Sequence, residues 1–273
     1  MATGIVSTLR YWLVGHPKIA EFSWIQGQTL GASPLFLTST VFLYLSLTLI
    51  LSRLPLPTIN PNLFQPIKVI HSTFLLLLSA VMVVGCVVSA AASHSAIDGI
   101  FCYPPGTRPA GPAFFWAYVF YLSKLVEFGD TLLIILGEAA GKQRRRLSFL
   151  HVFHHCMAVF MCYNALRTAQ SLFPAVMAVN ASVHVVMYGY YALCAVGLRP
   201  AWKRLVTDCQ IAQFKISFLG VVAVIYFHFS GEGCSGTWSW CFNILFNSAL
   251  LVLFIDFRRK NYGDGDYYVN KKE

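Results

Sequence analysis

An all-α membrane protein of seven transmembrane helices is the fold class this sequence predicts, and three observations predict it. Of the 273 residues, 57% are apolar and only 11% charged, against roughly 45–50% and 25% in an average soluble domain. The apolar residues gather into seven blocks, 34–51, 67–92, 113–136, 149–166, 172–196, 206–229 and 237–257. At about 1.5 Å per residue, each spans or nearly spans a hydrocarbon core of about 30 Å. The cations bracket these blocks instead of spreading along a polar face, so the net charge of +9 does not point to nucleic acid.

The elements follow in order. Residues 1–33 form a polar segment too long for the first block to read as a cleavable signal, so that block is expected to stay as an anchor. Pro55, Pro57, Pro61 and Pro66 make the next connection a stiff linker. The remaining connections are short, so consecutive helices should pack as neighbours. Orientation comes from the loops: Arg53, Lys68, Lys142, Arg144–Arg146, Arg199, Lys203, Arg204, Arg258–Lys260, Lys271 and Lys272 fall on one side. Arg10, Lys18, Arg108 and Arg167 fall on the other. The excess of Lys and Arg in cytosolic loops predicts a lumenal N-terminal segment (1–33), a membrane domain (34–257) and a cytosolic tail (258–273).

The third block carries Lys124, Glu127 and Asp130, followed by Thr131. Its Leu, Ile, Val and Phe favour insertion by about 0.3–0.6 kcal/mol each, while three central charges cost roughly 2.5–3.5 kcal/mol each. Those charges must face protein or water, either as a structural ion pair of Lys124 with Glu127 or Asp130, or in a catalytic role. The fourth block opens with His151, His154 and His155, whose i, i+3, i+4 spacing puts three imidazoles on one face near the cytosolic end. Metal ligation and acid–base or nucleophilic chemistry both need such a cluster. A di-iron centre draws ligands from several clusters, and only His184 joins from another block, so metal-free chemistry is favoured.

In the fifth block Asn180, His184, Tyr188 and Tyr191 share a face, with Tyr190 suited to an interfacial belt. In the sixth, Thr207, Gln210 and Gln213 share an arc that could hydrogen-bond between helices or line a headgroup site. Polar groups thus recur toward the cytosolic half of four successive helices. At the other end, Cys102 and Cys234 lie in lumenal loops and are expected to form a disulfide, with Cys241 as rival partner and free thiols as the alternative. Cys156 lies about 100° around the helix from His155 and ranks below the histidines as a nucleophile. A cytosol-facing pocket ringed by cations suits an acyl-CoA, whose phosphates match Arg and Lys and whose tail wants an apolar tunnel. With imidazoles at the site, acyl transfer, proton abstraction and decarboxylation are the feasible reactions.

Four stretches carry a resemblance: Lys124-Leu-Val-Glu127-Phe-Gly-Asp130-Thr131, His151-Val-Phe-His154-His155, Asn180-Ala-Ser-Val-His184-Val-Val-Met187-Tyr188-Gly-Tyr190-Tyr191 and Thr207-Asp-Cys-Gln210-Ile-Ala-Gln213-Phe214. In content and order they resemble the signatures of the ELO family of very-long-chain fatty acid elongases, over at least residues 114–260. The resemblance implies an endoplasmic-reticulum 3-ketoacyl-CoA synthase that condenses acyl-CoA with malonyl-CoA and needs no cofactor. It also implies that helices two to seven form a closed barrel around an acyl tunnel, with helix one peripheral. By motif match His154 would take the acyl group as an acyl-imidazole, His184 would assist, and His151 and His155 would act as base or orienting partners. Asn180 or Gln210 could donate to the developing oxyanion. The other enzymes of the elongation cycle are implied partners, and a homodimer is left open.

Two departures accompany the match. Lys271 and Lys272 precede only Glu273, an imperfect spacing for dilysine retrieval. Arg146 stands where some polyunsaturated-type members carry Gln, which points toward saturated or monounsaturated substrates. Two other classes share part of the pattern. A seven-helix receptor would need an Asp-Arg-Tyr-like triplet and an Asn-Pro-x-x-Tyr stretch, and a membrane di-iron desaturase or hydroxylase would need more histidines.

Overall fold

The computed structural model describes residues 2–56, 59–92, 101–139 and 147–262. The cations at 142 and 144–146, Pro57 and the dilysine at 271 and 272 lie outside them. The described residues are helical, with an isolated bridge between Ser23 and Ala110. Before the first apolar block stand α1 (Ala2–Arg10), a π-helical turn (Tyr11–Gly15) and α2 (Pro17–Ala20), so the polar N-terminal segment is partly helical. Then come α3 (Pro34–Leu51) and α4 (Pro61–Ala92). The third block gives two helices, α5 (Pro112–Val126) and α6 (Phe128–Ala139). After them follow α7 (Phe149–Arg167), α8 (Phe173–Ala195), α9 (Lys203–Ser230) and α10 (Thr237–Tyr262).

Most blocks were drawn to within a few residues, and two differences have physical causes. The proline-rich linker is shorter than expected, because Pro61 opens α4 and Pro66 lies inside it. Proline is pre-set for the first helical position, and Asn60 accepts the Asn62 amide at 2.9 Å, so the helix starts before its apolar stretch does. The third block is interrupted at Glu127, where the buried charges of one turn need partners on different helices. Among the described residues six helices, α3, α4 and α7–α10, are therefore long and apolar enough to cross a membrane, while α5 and α6 are 15 and 12 residues long.

Contacts run from α4 to α5, α5 to α7, α7 to α10, α10 to α9, α9 to α8 and α8 back to α4; α3 packs on α6 and α7. Gly85 lets α5 approach α4 closely, since a β-carbon there would strike the Trp116 ring. Outward positions are strongly apolar: Phe42, Leu219, Phe229, Trp238 and Leu245 are all exposed. Exposed apolar surface on this scale, together with six long apolar helices, is the mark of a multi-pass membrane protein.

The end of the helix ring away from the clustered cations is sealed by three loop segments. Cys102 and Cys234 are joined, with Cα atoms 5.0 Å apart, while Cys241 is exposed and free. Ser235 N donates to Tyr103 O at 2.7 Å, Ser171 N to Ser235 O at 3.1 Å, and Tyr103 N to Ser171 Oγ at 2.9 Å. Between α7 and α8 the buried Ala169 and Leu172 hold φ of 43° and 67°, a left-handed conformation that side chains rarely adopt. Such residues persist only where their surroundings over-determine them.

Candidate functional site

The interruption at Glu127 splits the charges of the third block between two networks. In the first, Lys124 Nζ donates to Glu127 Oε1 at 2.7 Å, and His184 Nδ1 stands 3.3 Å from the same oxygen. Lys124 also donates to Asn180 Oδ1 at 3.3 Å, and Asn180 Nδ2 donates to Gln213 Oε1 at 3.1 Å. A polar chain thus crosses from α9 through α8 to α5. Glu127 is only 1% exposed, and its Oε2 has no hydrogen-bond partner within the protein. A buried carboxylate is tolerable only with compensation nearby, which Lys124 supplies.

In the second network both Asp130 oxygens are taken. His71 Nε2 lies 2.9 Å from Oδ1, and Tyr188 OH donates to Oδ2 at 2.7 Å. Of the two ion-pair options for Lys124, Glu127 is therefore the partner. Thr131 Oγ1 bridges Tyr44 OH at 3.0 Å and His151 Nε2 at 2.9 Å. His71 and Tyr44 escaped the sequence reading. A signal was available for His71, since it is the lone imidazole in the apolar second block; in the structure Gly129 makes room for it, because a β-carbon there would lie 2.7 Å from His71 Cε1.

Ser148 caps α7, its Oγ accepting from His151 N at 3.2 Å, and so places His151 in the first turn of the helix and His154 and His155 in the second. The His151 and His155 ring centroids are 4.3 Å apart, and those of His154 and His155 are 5.4 Å apart. His154 presents its ring edge-on to Phe254 of α10, and its Nδ1 has no partner within the protein. Gln210 Nε2 reaches only the sulfur of Met187, at 3.3 Å, a weak acceptor.

Two cavities meet at these residues. The larger, about 950 Å³, is lined by Glu127, Asp130, the three α7 histidines, His184, Tyr191, Thr207, Gln210 and Gln213, and it reaches the surface beside Lys68, Arg199 and Lys203. The smaller, about 90 Å³, begins at Lys124, His154, Asn180 and Gln213 and runs between apolar walls, among them Phe120, Met177, Phe214 and Leu250, to Leu172, Trp240 and Asn243. His154 and Gln213 line both. Cys156 and Tyr188 line neither, the tyrosine being committed to Asp130. Among the described residues no three His, Cys, Asp or Glu side chains converge as a metal-ligating group. The arrangement offers a nucleophilic or basic imidazole at the junction of a polar, cation-flanked mouth and an apolar slot, a combination suited to acyl chemistry on an amphipathic anion.

Comparison with known proteins gives a consistent result. A family model described as ELO, GNS1/SUR4 family, matches residues 29–269. The chain is 28% identical over 288 residues to "Fatty acid elongase 3-like" of Arabidopsis thaliana, covering 99% of this chain and 98% of that protein. It is 34% identical over 197 residues to "Fatty acid elongase A" of Dictyostelium discoideum, covering 70% of each. With "Fatty acid elongase 4" of Trypanosoma brucei brucei it shares 33% identity over 156 residues, 55% of this chain and 58% of that one.

Proposed function

This chain belongs to the ELO family, described as GNS1/SUR4, and from that premise we propose that it catalyses the condensing step of fatty acid elongation. As a very-long-chain 3-oxoacyl-CoA synthase it joins an acyl-CoA to malonyl-CoA and yields 3-ketoacyl-CoA, CO2 and CoA. The observation that carries this reading is the place of His154, on the wall common to both cavities with a ring nitrogen unpartnered in the protein.

In the first half-reaction an imidazole nitrogen of His154 attacks the thioester carbonyl carbon. The carbon–sulfur bond breaks, and CoA leaves as the thiol with the proton shed by the imidazole. The acyl chain then occupies the apolar slot. Malonyl-CoA enters the mouth, its CoA phosphates beside Lys68, Arg199 and Lys203. Breakage of its carboxylate bond releases CO2 and leaves the electron pair on the α-carbon, which attacks the acyl carbonyl while His154 departs and regains a proton. That proton comes from solvent in the mouth; His184, whose Nδ1 is directed at Glu127, takes it up on Nε2 and passes it on. Gln210, bonded only to a sulfur, is the better placed of the two carboxamides to stabilise the oxyanion, because Asn180 already donates to Gln213. His151, fixed by Thr131, and His155 orient the reacting ring.

The same reading gives the topology. Counting α5 and α6 together as one interrupted crossing makes seven, and the ring of contacts that runs from α4 through α5, α7, α10, α9 and α8 back to α4 is read as a barrel with α3 outside it. The cationic mouth is cytosolic and the disulfide end lumenal, in the endoplasmic-reticulum membrane. The test is malonyl-CoA-dependent lengthening of a panel of acyl-CoAs by purified protein, with intact mass recorded after acyl-CoA alone. An acyl adduct mapped to the 151–155 peptide is expected. Lengthening with the adduct on Cys156 would replace the nucleophile, and no lengthening at all would end the elongase reading.

A further inference from the structure

The helix α3 packs only on α6 and α7, yet one of its side chains reaches the histidine cluster. Tyr44 OH lies 3.0 Å from Thr131 Oγ1, which lies 2.9 Å from His151 Nε2. From there the line continues through ring contacts, His151 to His155 with centroids 4.3 Å apart and His155 to His154 with centroids 5.4 Å apart. Side chains from α3, α6 and α7 thus form one line that ends at the imidazole read above as the nucleophile. Tyr44 and Thr131 are both buried. The phenol ring is held apart from its hydroxyl, because it stacks on Phe128 with centroids 4.0 Å apart and planes 13° apart.

The order of the hydrogens in this line follows from the chemistry of its members. Each hydroxyl has a single hydrogen to give, and a neutral imidazole has one nitrogen that accepts. A phenol, with a pKa of about 10, is the stronger donor of the two hydroxyls and, with its lone pairs drawn into the ring, the weaker acceptor. Tyr44 therefore donates to Thr131, and Thr131 donates to His151 Nε2, which leaves the proton of neutral His151 on Nδ1. In the reverse order His151 would carry its proton on Nε2 and the phenol would need a separate acceptor. Thr48, one turn further along α3 and buried, is the candidate for that role. Which nitrogen of a histidine is protonated is set by the bond that the other nitrogen makes.

We infer that Tyr44 is a positioning residue for the condensation: through Thr131 it fixes the tautomer and ring orientation of His151, and with them the packing of His155 behind His154. This rests on the elongase reading above and brings into it a helix that lines neither cavity. A purely structural hydrogen bond, holding α3 against α6, is the rival. The two differ in what removal of the hydroxyl does once Thr131 can no longer pass it on.

The experiment compares Tyr44→Phe, Thr131→Val and the double variant of the full-length purified protein, with palmitoyl-CoA and malonyl-CoA as substrates. Tyr44→Phe keeps the stack on Phe128 and should lower kcat about tenfold with KM within about twofold of the wild type. In the Thr131→Val background the same change should cost less than about twofold, because residues acting in one line are not additive. An unchanged kcat in Tyr44→Phe, or its full cost repeated in the Thr131→Val background, overturns the inference while leaving the elongase reading intact. No lengthening by the wild type would mean that the elongase reading has failed. The inference is then decided by nitrogen NMR of histidine-labelled protein in lipid, the His151 signal being identified by its loss in His151→Gln. A wild-type signal with Nε2 unprotonated that becomes a mixture of tautomers in Tyr44→Phe is expected. Protonated Nε2 in the wild type, or a signal that Tyr44→Phe does not move, overturns it. Should Thr131→Val fail to fold, Tyr44→Phe with its kcat, KM and tautomer readings still decides.

Discussion

The mouth of the slot and its sealed end are built from different interactions. At the mouth, helices are linked by charged and titratable side chains: Lys124 to Glu127, Glu127 to His184, Asp130 to His71 and Tyr188. At the sealed end, loops are linked by neutral groups, backbone to backbone and hydroxyl to carbonyl, and by the Cys102–Cys234 bridge. Charged side chains between helices can exchange protons and partners within a reaction cycle. A backbone-bonded, cross-linked loop cannot move cheaply, so it is suited to fixing a depth. Variants at the mouth should therefore alter rate constants, and variants at the sealed end should alter stability or discrimination between chains.

The sharpest division comes from His154. His154→Ala should lower kcat by about 10³-fold or more, because in the proposed mechanism it removes the attacking atom. Intact-mass analysis after acyl-CoA alone should show the adduct lost while CoA-substrate binding persists. Substantial remaining turnover would move the reacting group elsewhere. A second contrast lies within the mouth. Glu127 has one oxygen free of protein partners and faces the cavity, whereas both Asp130 oxygens are engaged. Glu127→Gln should cost about 10²-fold in kcat by exchanging the charged acceptor of His184 for a neutral carboxamide oxygen. Asp130→Asn should lose less in rate and more in thermal stability, on the order of 1–3 kcal/mol from the weakened His71 and Tyr188 bonds. Equal kinetic losses in the two would erase the distinction between them.

The mouth was largely legible in the sequence and the sealed end was not, for a physical reason. Charged residues and imidazoles inside apolar blocks are costly in lipid, so Lys124, Glu127, Asp130 and the histidines announced themselves, and helical periodicity placed them on shared faces. Their pairing was less legible: Asp130 finds His71, 59 residues away, and Thr131 finds Tyr44, 87 residues away. At the sealed end even the participants were hidden. Asn243 and Gln170 are 73 residues apart, and Trp and Asn in an otherwise apolar block look like ordinary filling. Only Cys102 and Cys234 carried a local sign, their position in loops beyond the membrane.

The cations at the mouth offer a smaller kinetic effect. Arg199 and Lys203 are exposed beside the larger cavity, so the attraction for CoA phosphates proposed for them would act through water and be screened by salt. Arg199→Glu combined with Lys203→Glu should raise the KM for malonyl-CoA about tenfold at low ionic strength, leave kcat unchanged, and converge on the wild type as salt increases. A salt-independent loss, or one confined to kcat, would remove these residues from the path of the substrate.

The disulfide gives the smallest expected effect on turnover and tests the sealed end most directly. Its two cysteines are 132 residues apart, and chain-entropy arguments for a soluble protein put so long a closure above 4 kcal/mol, roughly. In a membrane the comparison state already holds its helices across the bilayer, so much of that closure entropy is lost before the bridge forms. Paired Cys102→Ser and Cys234→Ser substitutions should therefore cost about 2 kcal/mol, the lower part of the usual range. The measurement is the thermal unfolding midpoint in detergent, alongside kcat/KM on a short acyl-CoA that does not reach Asn243. A lower midpoint with kcat/KM within about twofold of wild type assigns the bridge to holding the seal, since each end then carries its own function. A loss of turnover without a loss of stability would mean that the seal is coupled to the reacting residues, most directly through α7, which carries the histidines at one end and leads into Gln170 at the other.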